Sequence, residues 1–81
     1  IYGQAQVRDD AEVYGDAVVC NNVLVSDKAK VFDNAIAFEN AVVFENAEVY
    51  GNAEVYGHTM VYGNAKVYGS AEVYGNAKIC E

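Results

Sequence analysis

Four kinds of side chain in this sequence carry chemistry beyond packing: one histidine, two cysteines, a series of carboxylates and a series of aromatic rings. His58 is the one residue with the chemistry of a general base near neutral pH. Such a base needs a substrate atom within hydrogen-bond reach and usually an orienting partner. Counting in steps of eighteen, His58 falls in a column of Asn22, Asn40, His58 and Asn76. Neither neighbour is a carboxylate, and no insertion supplies a projecting loop. Histidine, like asparagine, tolerates the left-handed backbone region. His58 therefore reads as a corner residue first and a weak catalytic candidate second.

The other groups divide similarly. Asp9, Asp10, Asp16, Asp27, Asp33, Glu39 and Glu45 have the chemistry to attract Ca²⁺. Their spacing matches no calcium loop, so a solvated rim is expected and no metal site is assigned. A flat threonine ladder of the ice-binding kind is absent, because Thr59 is the only threonine. No phosphate loop and no nucleophile–base pair occurs. No cofactor is expected.

Positioning these groups is the work of one repeat. Val or Ile recurs every six residues at 1, 7, 13, 19, 25, 31, 43, 49, 55, 61, 67, 73 and 79, with Ala37 the one small member. Alanine recurs with the same period from Ala5 to Ala77, interrupted by Val23 and Thr59. The unit is Ala-x-Val-aromatic-Gly-Asn. Alternate strand residues share a face, so Ala and Val point one way. Gly-Asn is a turn signal, both residues tolerating positive φ. The unit predicts a four-residue strand and a tight corner. A helix is excluded by the period and by the Val and Tyr content.

A hairpin meander would lay the same narrow stripe along one open sheet with unprotected edges. A coil suits the pattern better: three strands close a triangle and the next coil stacks above it. At this point the chain resembles a known family. The pattern aliphatic-x-Gly-x-small-x, with Val-Tyr-Gly-Asn-Ala-Glu at 49–54 as a clean copy, is similar to the hexapeptide-repeat proteins. The resemblance covers the whole chain and implies a left-handed parallel β-helix. That sense runs against the usual right-handed crossover. Many members are acyltransferases, so the resemblance also implies acyl-CoA as ligand, a trimer and His58 as base. Its carbonic-anhydrase branch requires three metal-binding histidines, which one histidine cannot supply.

The expected fold is an all-β, triangular parallel β-helix, a single β-solenoid domain over residues 1–81. Eighteen residues per rung give about 4.5 rungs and, at about 4.8 Å each, a column of roughly 22 Å. One outer column then reads Glu12, Lys30, Glu48 and Lys66, with alternating signs, beside an aromatic ladder of Tyr14, Phe32, Tyr50 and Tyr68. Opposite charges on neighbouring strands stabilise, which supports the eighteen-residue rung independently. A second column places Glu54 against Glu72, like on like, without explanation. Val18, Leu24, Ile36, Phe38, Val42, Phe44 and Met60 all face outward on two adjoining faces. A contiguous apolar patch of this kind marks an interaction surface.

Cys20 and Cys80 sit sixty residues apart, three and a third rungs. That is roughly 16 Å along the axis, beyond disulfide reach. Two free thiols and a bridge between neighbouring molecules remain open, the bridge requiring an oxidising compartment such as the cell surface.

The formal net charge is −7, with only Arg8, Lys28, Lys30, Lys66 and Lys78 basic. Nothing forms a basic stripe for nucleic acid. No apolar run approaches the roughly 20 residues that span a bilayer. There is no secretory leader pattern and the sequence opens at Ile1 without Met, as a mature product, a fragment or the ordered part of something longer would. Both ends are ordinary repeat residues with no polar cap. The function expected is non-catalytic and structural, with the chain itself as partner: end-to-end stacking into a filament, and lateral contact through the apolar patch. The alternatives are a piece of an acyltransferase-like trimer, and a spacer or partner-binding segment of a longer solenoid.

Overall fold

The computed structural model describes residues 3–81. The described residues form thirteen short strands and no helix, wound into a coil with three parallel sheets as its walls. The first sheet stacks β1 (Gln6–Val7), β4 (Leu24–Val25), β7 (Val42–Val43), β10 (Met60–Tyr62) and β13 (Lys78–Cys80). The second stacks β2 (Glu12–Val13), β5 (Lys30–Val31), β8 (Glu48–Val49) and β11 (Lys66–Val67). The third stacks β3 (Val18–Val19), β6 (Ile36–Ala37), β9 (Glu54–Val55) and β12 (Glu72–Val73). The register is that of residues eighteen apart: Val7 with Val25, Val13 with Val31, Val19 with Ala37. The result is a β-solenoid of about four turns, with extents of 25, 22 and 21 Å.

The strands are shorter than the hexad predicts, two or three residues rather than four. The inter-coil hydrogen bonds nevertheless run past the strand ends and through the corners. Glu12 N–H donates to the Ala29 carbonyl at 3.0 Å, Tyr14 N–H to Val31 at 3.0 Å and Asp16 N–H to Asp33 at 2.9 Å. At the corners that lead into the second and third sheets the Ala amide reaches back to the carbonyl three residues earlier, as in Ala47 N–H to Phe44 at 3.3 Å. The turn leaves the Ala position outside regular strand geometry without breaking the ladder.

Among the described residues, only the Gly position of the repeat takes the left-handed conformation. Gly51 (φ 70°) and Gly57 (φ 77°) adopt it, and so do Asp27 (φ 60°), Asp33 (φ 62°) and Glu45 (φ 61°). The following Asn-type position does not, although it too tolerates positive φ. One left-handed residue per corner is enough to reverse the strand. A Cβ at Gly57 would lie 2.8 Å from the Gly75 carbonyl oxygen of the coil above, so close approach also favours glycine there.

The interior is the Ala/Val stripe. Val25, Val31, Val43, Val49, Val55 and Val61 are all 0 % exposed. Small side chains suit a lumen whose three walls converge, and larger ones would overpack it. Thr59 points inward as its position requires, and its hydroxyl donates to the Tyr56 carbonyl at 2.7 Å. Burial fades at both coil ends: Ala5, Val7, Ala11 and Val13 on one side, Val73 and Ile79 on the other, are only partly covered.

Candidate functional site

His58 stands at an exposed corner. Its backbone N–H donates to the Gly75 carbonyl at 2.8 Å, the same inter-coil bond that Asn40 makes to Gly57. It lacks a left-handed φ, so backbone tolerance is not the reason a histidine fits. The corner requires only a side chain that projects into water. Below it, Asn22 Nδ2 donates to Asn40 Oδ1 at 3.3 Å, the start of an amide ladder. The carboxylate of that corner, Glu39, is engaged elsewhere: its Oε1 accepts the Gly57 N–H at 2.9 Å. The surrounding depression is shallow and open, lined by Asn21, Asn40 and Gly57 among others.

That bond of Glu39 belongs to a series which the sequence does not announce. Asp9 Oδ2 accepts the Asp27 N–H at 3.4 Å, and Asp27 Oδ2 accepts the Glu45 N–H at 3.1 Å. Glu45 Oε1 accepts the Gly63 N–H at 2.8 Å, and Asp33 Oδ2 the Gly51 N–H at 3.3 Å. These corner amides lie outside the strand ladders. Five of the seven acids expected to be a solvated rim, Asp9, Asp27, Asp33, Glu39 and Glu45, are therefore inter-coil fasteners as well. The sequence shows an acid at the glycine position of the repeat; the left-handed backbone that makes a compensating contact valuable there is seen only in the structure. Among the described residues, no cluster of three metal-ligating side chains occurs.

The outer face carries aromatic stacks. Tyr14, Phe32, Tyr50 and Tyr68 form one column with centroid spacings of 5.0, 4.9 and 5.3 Å. Phe38, Tyr56 and Tyr74 form a second at 4.7 and 5.4 Å, and Phe44 stacks on Tyr62 at 5.1 Å. Interplanar angles of 2–11° show offset-parallel rings held by the coil repeat. Tyr2 lies outside the described residues. Burial pushes the Tyr56 phenol above its ordinary value, reinforced by the carboxylates of Glu72 and Glu54. A hydrogen bond to Cys80 holds Tyr62 in its neutral form and raises it too.

The outward apolar residues stack in two columns. Val18 faces Ile36 on the third sheet, and Leu24, Val42 and Met60 follow one another on the first. With Phe38 and Phe44 beside them, all seven are half-buried by their neighbours above and below. Cys20 and Cys80 are both free thiols. Cys20 follows β3 at the lower edge of the third sheet, while Cys80 lies in β13 at the upper edge of the first. The fold thus keeps them on different walls at opposite ends. Their Glu/Lys neighbours obey the predicted register: Glu12 with Lys30, Lys30 with Glu48, Glu48 with Lys66.

Both coil ends expose sheet edges. β1, β2 and β3 lie at one end, β11, β12 and β13 at the other, each paired on one side only. The lower mouth opens onto Val7, Ala11 and Val13. No helix among the described residues is long and apolar enough to cross a membrane. The chain matches no family model, no curated protein and no solved structure.

Proposed function

We propose that this chain is a structural β-solenoid that associates with copies of itself, end to end, to build a rod. The supporting observation is the pair of coil ends. Each combines unpaired strand edges with half-covered Ala/Val interior, and both kinds of surface are satisfied by one more coil. Because every coil shares one register, a second copy provides that coil without rearrangement. Backbone hydrogen bonds then continue the three sheets across subunits. A contact between different surfaces that does not close on itself propagates as an open fibre. The aromatic columns stiffen the rod, and the outward apolar residues from Val18 to Met60 offer lateral contact between rods. Under this reading the coil is of the hexapeptide-repeat, left-handed type, and the protein itself is the partner.

Sedimentation of the 81-residue chain, with negative-stain microscopy, tests the proposal. Concentration-dependent growth into rods of constant width is expected. Monodisperse single solenoids at high concentration would overturn it, leaving the coil ends to be covered by chain of another kind.

A further inference from the structure

The outer aromatic columns change chemistry from one coil to the next. Phe32, Phe38 and Phe44 fill one complete turn, and Tyr50, Tyr56, Tyr62, Tyr68 and Tyr74 follow at the same six-residue interval. Two columns therefore stack phenol directly on phenol. Tyr50 lies on Tyr68 at 5.3 Å and Tyr56 on Tyr74 at 5.4 Å, each pair with an interplanar angle of 11°. We infer that these two pairs are sites of oxidative coupling, where a one-electron oxidant (a peroxidase acting with hydrogen peroxide) joins the rings as dityrosine and bonds one coil covalently to the next. Such bonds lie within one molecule and owe nothing to end-to-end association.

The chemistry uses the hydroxyl that phenylalanine lacks. A phenol gives up its O–H hydrogen to a one-electron oxidant, and the radical left behind carries spin on the ring carbons beside the C–O bond. Two such radicals join through those carbons. One C–C bond forms, the two displaced ring hydrogens move to the oxygens as protons, and both rings become phenols again. Each pair thereby loses two hydrogen atoms, which reduce one hydrogen peroxide to two waters.

The stack favours coupling within a pair. The backbone beneath is fixed, with Tyr50 N–H donating to the Val67 carbonyl at 2.8 Å and Tyr56 N–H to Val73 at 2.9 Å. The ring-attachment carbons of a biphenol stand only slightly further apart than rings stacked on neighbouring strands. A small splay of the two rings is enough, and no strand has to move. Tyr68 and Tyr74 are 58 % and 59 % exposed, so both have room to turn and an oxidant reaches them. Reactants already held side by side couple faster than those that must first diffuse together. The remaining described tyrosines lack a stacked phenol: Tyr14 lies on Phe32, and Tyr62 has Phe44 on one side and Cys80 in register on the other.

Oxidation of the dilute 81-residue chain with peroxidase and hydrogen peroxide tests this, followed by thiol reduction, isolation of the monomer and mass spectrometry. Lys66 lies between the partners of both pairs, so trypsin separates 31–66 from 67–78 in an unlinked chain. Those two peptides are expected to stay joined, two hydrogens lighter for each bond, with fragmentation placing the bonds at Tyr50–Tyr68 and Tyr56–Tyr74. Tyr68→Phe should leave only the Tyr56–Tyr74 bond, and Tyr74→Phe only the other. The chain already carries Phe in both columns, so neither change removes the stacking. Phe44→Tyr should create a third bond, to Tyr62, which stacks on that position at 5.1 Å. Bonds between tyrosines that do not stack would overturn the inference. So would a monomer that emerges unlinked, whether or not dityrosine forms between molecules.

Discussion

The corner carboxylates show most clearly how a single side chain answers two demands. Glu45 holds a left-handed backbone (φ 61°), which costs a residue with a Cβ about 1–2 kcal/mol. Its carboxylate offsets that by accepting the Gly63 N–H at 2.8 Å, while its own amide donates to Asp27 at 3.1 Å. Glu45→Ala keeps the strain and loses the acceptor, so a loss of about 1 kcal/mol is expected in urea unfolding. Glu45→Gly loses the same bond but relieves the backbone, and its midpoint should fall above that of the alanine variant. An alanine variant as stable as the wild type would show that the inter-coil bond contributes nothing. The acids were visible in the sequence as corner residues. Their bonds were not, because each acceptor meets an amide eighteen residues further along.

At the scale of the strand, stacked pairs decide the outer face. The Glu/Lys alternation on the second sheet was legible from spacing alone, since one register aligns every pair. The pair Glu54–Glu72 on β9 and β12 was legible too, and the structure retains it in register. Replacing Glu72 by Lys should turn repulsion into attraction and raise stability by about 0.5 kcal/mol. The same change has an optical signature. Tyr56 is held above its ordinary value of 10.0 by burial first and by Glu72 next. Glu72→Lys should therefore bring the phenolate transition of Tyr56 down towards that value. The sign for stability follows: the neutral phenol's contribution is complete below pH 10 and is lost as pH rises through the elevated folded value. The variant should lose less than the wild type over that alkaline window. An unchanged Tyr56 titration would mean that the Glu72 charge does not reach the ring. Strand length, by contrast, was overestimated, because the six-residue pattern records which way side chains face and not where the backbone leaves extended geometry.

For the whole molecule, stability is a sum over neighbouring coils. Val25, Val31, Val43 and Val49 are wholly buried between coils on both sides, whereas Val7, Val13, Val73 and Ile79 have a neighbour on one side only. Amide exchange of the dilute chain should be slowest from β4 to β10 and fastest in β1, β2, β12 and β13. Uniform protection along the chain would contradict a nearest-neighbour coil. Under the proposed end-to-end stacking, protection of the edge strands should rise with concentration. The sequence by itself determined the coil, its three walls and the identity of every lumen residue, because an unbroken period of six leaves one way to place Ala and Val inside. Only the tertiary structure decided which corner residue turns left-handed, that His58 has no free carboxylate beside it, and that the acidic rim fastens one coil to the next. Those outcomes depend on contacts between residues eighteen apart, whose geometry exists only once the coils are stacked.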